Sequence, residues 1–199
     1  KVAFKLNDGT DGSLKTVEVT RYESLGDKMP TRDKVPAREG YIFTGWAKSK
    51  AARYPDFFRG TAVKGDMTVY AVWKSLYAEK LGQPELKVSA KAKGYELTIV
   101  PPKENLHTGF EIFRIEKKDF KPSKDNKIAT IDRNTLKYLD DKADNSKAYY
   151  YAVRAIDEDG SYNGTKVTFI GKLSDSVLAV PLPKERGVTA TVAGKGAVD

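Results

Sequence analysis

The chain has 199 residues, of which 40% are apolar and 31% charged, with a formal net charge of +8, no cysteine and one histidine. This suits one large or two ordinary globular domains, and no apolar run reaches membrane-spanning length, so no membrane insertion is expected. The lack of cysteine excludes disulfides, thiolate catalysis and cysteine-ligated metals. Charge is uneven: residues 1–74 carry 14 Lys/Arg against 9 Asp/Glu, and residues 75–183 carry 18 against 16. An excess of this kind either attracts polyanions or keeps a surface solvated. Acidic residues interleave with the basic ones throughout, so nucleic acid is not an expected partner.

The chain opens directly on the strand-like Lys1-Val2-Ala3-Phe4, without Met or a signal-peptide core. It reads as a piece of a longer protein whose targeting or anchoring segments lie outside it. Val2, Phe4 and Leu6 alternate on one face of a first strand, and Leu14 to Thr20 predicts a second. Between them Asp8-Gly9 and Asp11-Gly12 form hairpin signals, and the loop lacks the ligand run of a calcium site. Glu23 to Met29 predicts a short helical turn, and Pro30 and Pro36 predict extended chain between them. Glu39-Gly40-Tyr41-Ile42-Phe43-Thr44-Gly45-Trp46 and Gly65-Asp66-Met67-Thr68-Val69-Tyr70-Ala71-Val72-Trp73 are two further strands, each introduced by Gly and closed by Trp. Ala47 to Lys64 between them reads as irregular. The candidate core residues of this unit are Phe4, Tyr41, Phe43, Trp46, Tyr70 and Trp73.

Phe4-x-Leu6-Asn7-x-Gly9, then Pro36-x-x-x-Gly40-Tyr41-x-Phe43-x-Gly45-Trp46, then Asp66-Met67-Thr68-Val69-Tyr70-Ala71-Val72-Trp73, resembles the Listeria–Bacteroides repeat, the internalin-type B-repeat of bacterial surface proteins. The likeness runs from Lys1 to Lys74. It implies a small β-grasp-like fold, an extracellular location and an adhesive or repeat role without catalysis. It carries over no binding residue.

Residues 75–83 read as a linker with a possible helical turn, and residues 84–183 as a second unit. Its strands are predicted at Leu86 to Ala92, Glu96 to Val100, Phe110 to Glu116, Lys127 to Asp132, Lys137 to Leu139, Ala148 to Ile156 and Ser176 to Val180, spaced as in a β-sandwich. Tyr149, Tyr151 and Val153 alternate toward a core. The residues Leu97-x-Ile99-x-Pro101, Phe110-x-Ile112-x-Arg114, Tyr138-x-Asp140 and Tyr149-x-Tyr151-x-Val153-x-Ala155-x-Asp157 resemble an immunoglobulin-like sandwich of the bacterial fibronectin type III kind. That resemblance makes Tyr149 the tyrosine-corner residue. The family's second-strand Trp is missing, so Leu97 or Ile99 must fill its volume. Asp157 to Asp175 is a long loop before the last strand, with Asn163-Gly164 at a hairpin tip. In the tail, residues 184–199, Val188-Thr189-Ala190-Thr191-Val192 echoes Val88-Ser89-Ala90-Lys91-Ala92, as if a further sandwich repeat began there.

No catalytic, metal or cofactor set emerges. His107 lies in a polar turn and reads as an exposed loop histidine, and Asp140-Asp141 and Asp157-Glu158-Asp159 read as solvated turns. Tyr54, Phe57 and Phe58 in the first unit, and Tyr162 and Phe169 in the second, are the candidates for an exposed ligand or protein contact. The expectation is therefore mainly β: a β-grasp-like module followed by a sandwich, non-catalytic and without cofactor, serving as spacer modules of a secreted or wall-attached bacterial protein. Its partners would be neighbouring modules of the same polypeptide. The alternatives are adhesion to cell-wall or host glycan or protein through the basic first unit, and an accessory region of a surface glycoside hydrolase.

Overall fold

The computed structural model describes residues 1–118 and 121–183. The repeat expected in residues 184–199 lies outside the described residues. What is described is mainly β, in two successive units. In the first, β1 (Val2–Lys5), β2 (Ser13–Val17), β3 (Tyr41–Ala47) and β4 (Met67–Ser75) make one sheet in the order β2-β1-β4-β3. β1 and β4 run parallel at its centre, with Phe4 opposite Val69, and the outer pairs are antiparallel. A parallel pair needs a long crossover. Outside its strands, this one holds only short 3-10 turns at Gly26–Lys28 and Arg32–Lys34, the second interrupting the stretch that Pro30 and Pro36 were expected to keep extended.

The crossover supplies Leu25, Val35, Phe57 and Val63 to a core shared with Val2, Phe4, Trp46, Val69 and Ala71. A bulge between Phe43 and Gly45 shifts the register of β3, so that Phe43 and Trp46, three apart, meet edge to face at 5.1 Å. Gly45 sits at φ +148°, and a Cβ there would stand 2.7 Å from the Pro55 ring, so the bulge and the loop crossing it both require glycine. Two residues expected in the core are elsewhere. Tyr41 is exposed at the mouth of β3, and Tyr70 is half-buried on the opposite face, because Met67, Val69, Ala71 and Trp73 take the core side of β4.

The second unit contains β5 (Glu85–Ala90), β6 (Tyr95–Val100), β7 (Gly109–Ile115), β8 (Lys127–Asp132), β9 (Lys137–Asp140) and β10 (Tyr149–Asp157). A small hairpin of β11 (Ser161–Tyr162) and β12 (Thr165–Lys166) follows, then β13 (Phe169–Leu173) and β14 (Val177–Ala179). One sheet is β5-β6-β9, and the other is β8-β7-β10 with β13 and β14 both on the free side of β10. Alternate residues from both sheets fill the space between them: Leu97 and Ile99 from β6, Phe110 and Ile112 from β7, and Tyr149, Tyr151 and Val153 from β10. Tyr95, at the start of β6, adds a third tyrosine ring, 5.9 Å from Tyr151.

The stretch from Asp157 to Asp175 is not all loop. β13 pairs with the far end of β10, β14 with its near end, and Ser174 fills the break between them. The Val153 N–H donates to Ser174 Oγ at 3.0 Å, and the Ser174 N–H donates back to the Val153 carbonyl at 2.8 Å. Among the described residues, no helix is long and apolar enough to cross a membrane.

Candidate functional site at the junction

The turn Arg38-Glu39-Gly40-Tyr41 brings the first unit against the second. The Tyr41 N–H donates to the Arg38 carbonyl at 3.1 Å, and Gly40 has φ +71°, the positive value that the third position of a type II turn needs. The conformation requires glycine, and a Cβ there would lie 2.9 Å from Ile170 Cδ1 of the second unit, so the tip of that side chain would have to move. The charged residues of the turn point two ways. Glu39 reaches the second unit. Arg38 folds back over the Tyr41 ring, its guanidinium carbon 3.9 Å from the centroid.

The segment 75–83, expected as a linker, is tied to both units along its length. The Leu76 N–H donates to the Gly40 carbonyl at 2.8 Å, and the Leu76 carbonyl accepts from the Ile170 N–H at 3.0 Å. Tyr77 forms a parallel bridge with Ile170, and the Ala78 N–H donates to the Ile170 carbonyl at 2.8 Å, so the segment lies along the free edge of β13. A 3-10 turn at Glu79–Leu81 follows, and Leu81 is fully buried in the sandwich core. Every residue from Leu76 to Ala78 thus takes part in β-type pairing, and the backbone freedom of a linker is removed.

Glu39 ends in an ion network on the outer face of the sandwich. Its carboxylate pairs with the guanidinium of Arg154, which is 5% exposed. Arg154 Nε donates to Glu111 Oε2 at 2.8 Å, and Lys127 Nζ donates to Glu111 Oε1 at 2.8 Å. Burial alone would raise the Glu111 carboxyl. The hydrogen bond from Lys127 and the Arg154 guanidinium outweigh it and hold that carboxyl below the usual carboxylate range. Arg154 also lies over the Phe113 ring at 5.1 Å. An arginine this buried needs acceptors for its fork, and it draws one from each unit.

The aromatic residues expected to mark a surface site are dispersed. Tyr54 and Phe58 are exposed, whereas Phe57 is fully buried, turned inward by its bridge to Trp46. Arg59, beside Phe58, is paired with Asp27. Tyr162 is half-buried on its hairpin, and Phe169 packs against the sandwich core. Glu39 and Arg154, which meet at the junction, and Arg38, which stacks on Tyr41, were not contact candidates from sequence. The available signal was Glu39-Gly40, a turn at the foot of a strand.

Two buried polar groups lie away from the junction. Asp140, read as part of a solvated turn, is buried and accepts the Tyr151 hydroxyl at 2.8 Å and Arg114 Nη1 at 2.7 Å, while Asp141 beside it is exposed. Burial and the bond to Asp140 push the Tyr151 phenol strongly upward, so it stays a donor. His107, expected on the surface, is 1% exposed and lies against Phe110 at 4.5 Å with Nδ1 unpartnered. Burial, with the Arg133 charge second, pushes its imidazole below the usual range. Among the described residues no group of three or more His, Asp or Glu side chains is placed to hold a metal.

Residues 1–72 match the Listeria-Bacteroides repeat domain family. Comparison with curated proteins returns no match. Among solved structures, a fibronectin type III-like protein from Clostridium thermocellum is 20% identical, over 51% of this chain and 94% of that one, with a TM-score of 0.38. Pectate lyase PelI from Erwinia chrysanthemi is 20% identical over 49% of this chain, with a TM-score of 0.36, and the match spans 27% of the lyase. A β-1,2-glucanase from Parabacteroides distasonis is 19% identical over 57% of this chain and 15% of its own length, with a TM-score of 0.33.

Proposed function

We propose that the chain is a non-catalytic spacer of an extracellular, wall-attached or secreted bacterial surface protein, in which an internalin-type repeat and a fibronectin type III-like sandwich act as one stiff rod. The observation that carries this reading is Leu76, whose N–H is bonded to the first unit and whose carbonyl is bonded to the second. A spacer that sets a functional domain at a fixed distance needs such a joint, because a free linker would let the ends wander by an amount set by its length. The Glu39–Arg154 pair and the glycine contact at Ile170 resist bending and twisting about the same point. The neighbouring modules of the same polypeptide would be its principal partners.

The absence of native cysteine makes the test clean. Spin labels on Lys15→Cys and Ser89→Cys, one exposed position on each unit, report the distance between units in the full chain by pulsed electron resonance. The expected result is one narrow distribution that broadens when Gly40→Val is added. A distribution already broad in the parent chain would overturn the stiff-spacer reading.

A further inference from the structure

The turn that locks the junction also builds a cleft. Arg32, Arg38, Tyr41, Ile42 and Trp73 are among the residues that line a cavity of about 170 Å³, whose lining contains two guanidinium groups and no carboxylate. Arg38 is half-buried, lies 3.9 Å above the Tyr41 ring and 5.8 Å from the Trp73 ring, and among the described residues makes one long hydrogen bond, to the Asn7 carbonyl at 3.5 Å. A guanidinium carries five donors, so most of its fork is free while the ring stack holds its plane in place. Among the described residues the Arg32 guanidinium, which is exposed, has no hydrogen-bond or ion-pair partner. A preorganised fork with vacant donors suits a carboxylate, which it grips through two parallel bonds. The rest of the wall is aromatic and aliphatic, with Trp73 fixed by its Nε1–H bond to the Leu6 carbonyl at 2.7 Å.

We propose that this cleft binds a carboxylated sugar residue of an acidic glycan, its carboxylate held by Arg38 and Arg32 and its ring against Tyr41 and Trp73. A pyranose offers both features the wall asks for: a charge on one edge and a face of C–H groups for the electron-rich aromatic rings. The cavity is smaller than the roughly 300–1,000 Å³ of sites for drug-sized ligands, so it takes one sugar ring. It adjoins a second cleft that shares Arg32, Tyr41 and Ile42 and runs past Glu39, Glu111 and Arg154 toward Ile170; the carboxylates there suit an uncharged sugar as the next residue of the glycan. The basic excess of residues 1–74 favours encounter with an anionic polymer. An aspartate or glutamate side chain of a peptide would satisfy the arginines but leave the aromatic wall bare. This inference holds whether or not the junction is stiff, and its test is separate from the distance measurement.

The experiment is calorimetric titration of the full chain, at physiological salt, with a hyaluronan hexasaccharide, which alternates glucuronate with N-acetylglucosamine. The controls are the uncharged chitohexaose of equal length and a hexaglutamate peptide. The expected result is saturable hyaluronan binding that falls by about tenfold in Arg38→Gln and again in Arg38→Lys, which keeps the charge but loses the fork. Lys124→Gln, a remote exposed charge, should leave it unchanged. Equal melting temperatures of the variants exclude misfolding as the cause. Chitohexaose binding equally well, hexaglutamate binding as tightly with the same Arg38 dependence, equal losses in Arg38→Gln and Lys124→Gln, or no hyaluronan binding would each overturn the proposal.

Discussion

The first unit closes its core with aromatic rings, the second with polar bonds between sheets, and the difference follows from how many sheets each has. A single four-stranded sheet has no second sheet to cover its core face, so irregular chain must do so. Wide rings span the gaps that irregular chain leaves. Phe4 meets Trp46 at 4.7 Å, and the loop residue Phe57 meets Phe4 at 6.4 Å. Each tryptophan also anchors a loop, Trp46 Nε1–H donating to the Pro30 carbonyl at 3.0 Å and Trp73 Nε1–H to the Leu6 carbonyl. In the sandwich, apolar area is plentiful, but apolar contact has no direction and lets two sheets slide. Asp140 ends β9 in one sheet and is bonded to Tyr151 of β10 and Arg114 of β7 in the other, which fixes their alignment.

The most damaging single change therefore lies in the first unit. Trp46→Ala removes the largest fully buried side chain and leaves a cavity, which should cost about 3–5 kcal/mol. Thermal unfolding of the full chain, followed by near-ultraviolet circular dichroism, should show the first unit melting well below the sandwich. A shift of under a degree would mean the loops, not the ring, hold the core.

The second unit should break at Tyr151, not at its neighbour on the same face. Tyr151→Phe keeps the volume but leaves Asp140 with one buried bond fewer, a loss of roughly 1.5–3 kcal/mol for a hydrogen bond to a charged group. Tyr149 is the internal comparison. Its hydroxyl accepts from the Asp144 N–H at 3.3 Å, five residues upstream as a tyrosine corner would have it, but the bond is long and the acceptor uncharged. Tyr149→Phe should cost about 1 kcal/mol or less. Urea denaturation of both variants decides the matter, and equal losses would return the tyrosine corner to first place.

Period-two alternation of apolar residues, with turn-forming residues between the runs, made the two units and most strands legible. Whatever depended on a register shift or a tertiary bond was not legible. Adjacent aromatics in extended chain point opposite ways, but the sequence does not say which points in; the Trp46–Phe57 bridge decides it. The bulge between Phe43 and Gly45 puts Phe43 and Trp46, three apart, on one side, which strict alternation forbids, and Tyr41 is exposed because it begins the strand at the sheet's end. Asp140 reads as a solvated turn residue until Arg114 and Tyr151 are brought to it from 26 and 11 residues away. The junction was hidden for a similar reason. Neither Glu39 nor Arg154 is unusual locally, and they stand 115 residues apart.

His107 gives the contrast a pH axis, because it is the only histidine of the chain and belongs to the second unit. Its folded imidazole titrates below the unfolded one, since burial against Phe110 and the Arg133 charge both oppose protonation. As pH falls past the ordinary histidine range of about 6.5, the unfolded chain takes up a proton that the folded chain resists. Stability should therefore fall with falling pH there, by at most about 1.4 kcal/mol per pH unit for one proton. The carboxylates whose folded values are depressed, such as Glu111, act lower, where their protonation begins, so the interval just below neutrality belongs to the histidine. Urea midpoints between neutral and mildly acid pH should slope for the native sandwich and flatten in His107→Phe, while the first unit shows no slope in either protein. A slope that survives the substitution would assign the titration to another group and leave the unpartnered Nδ1 without consequence for stability.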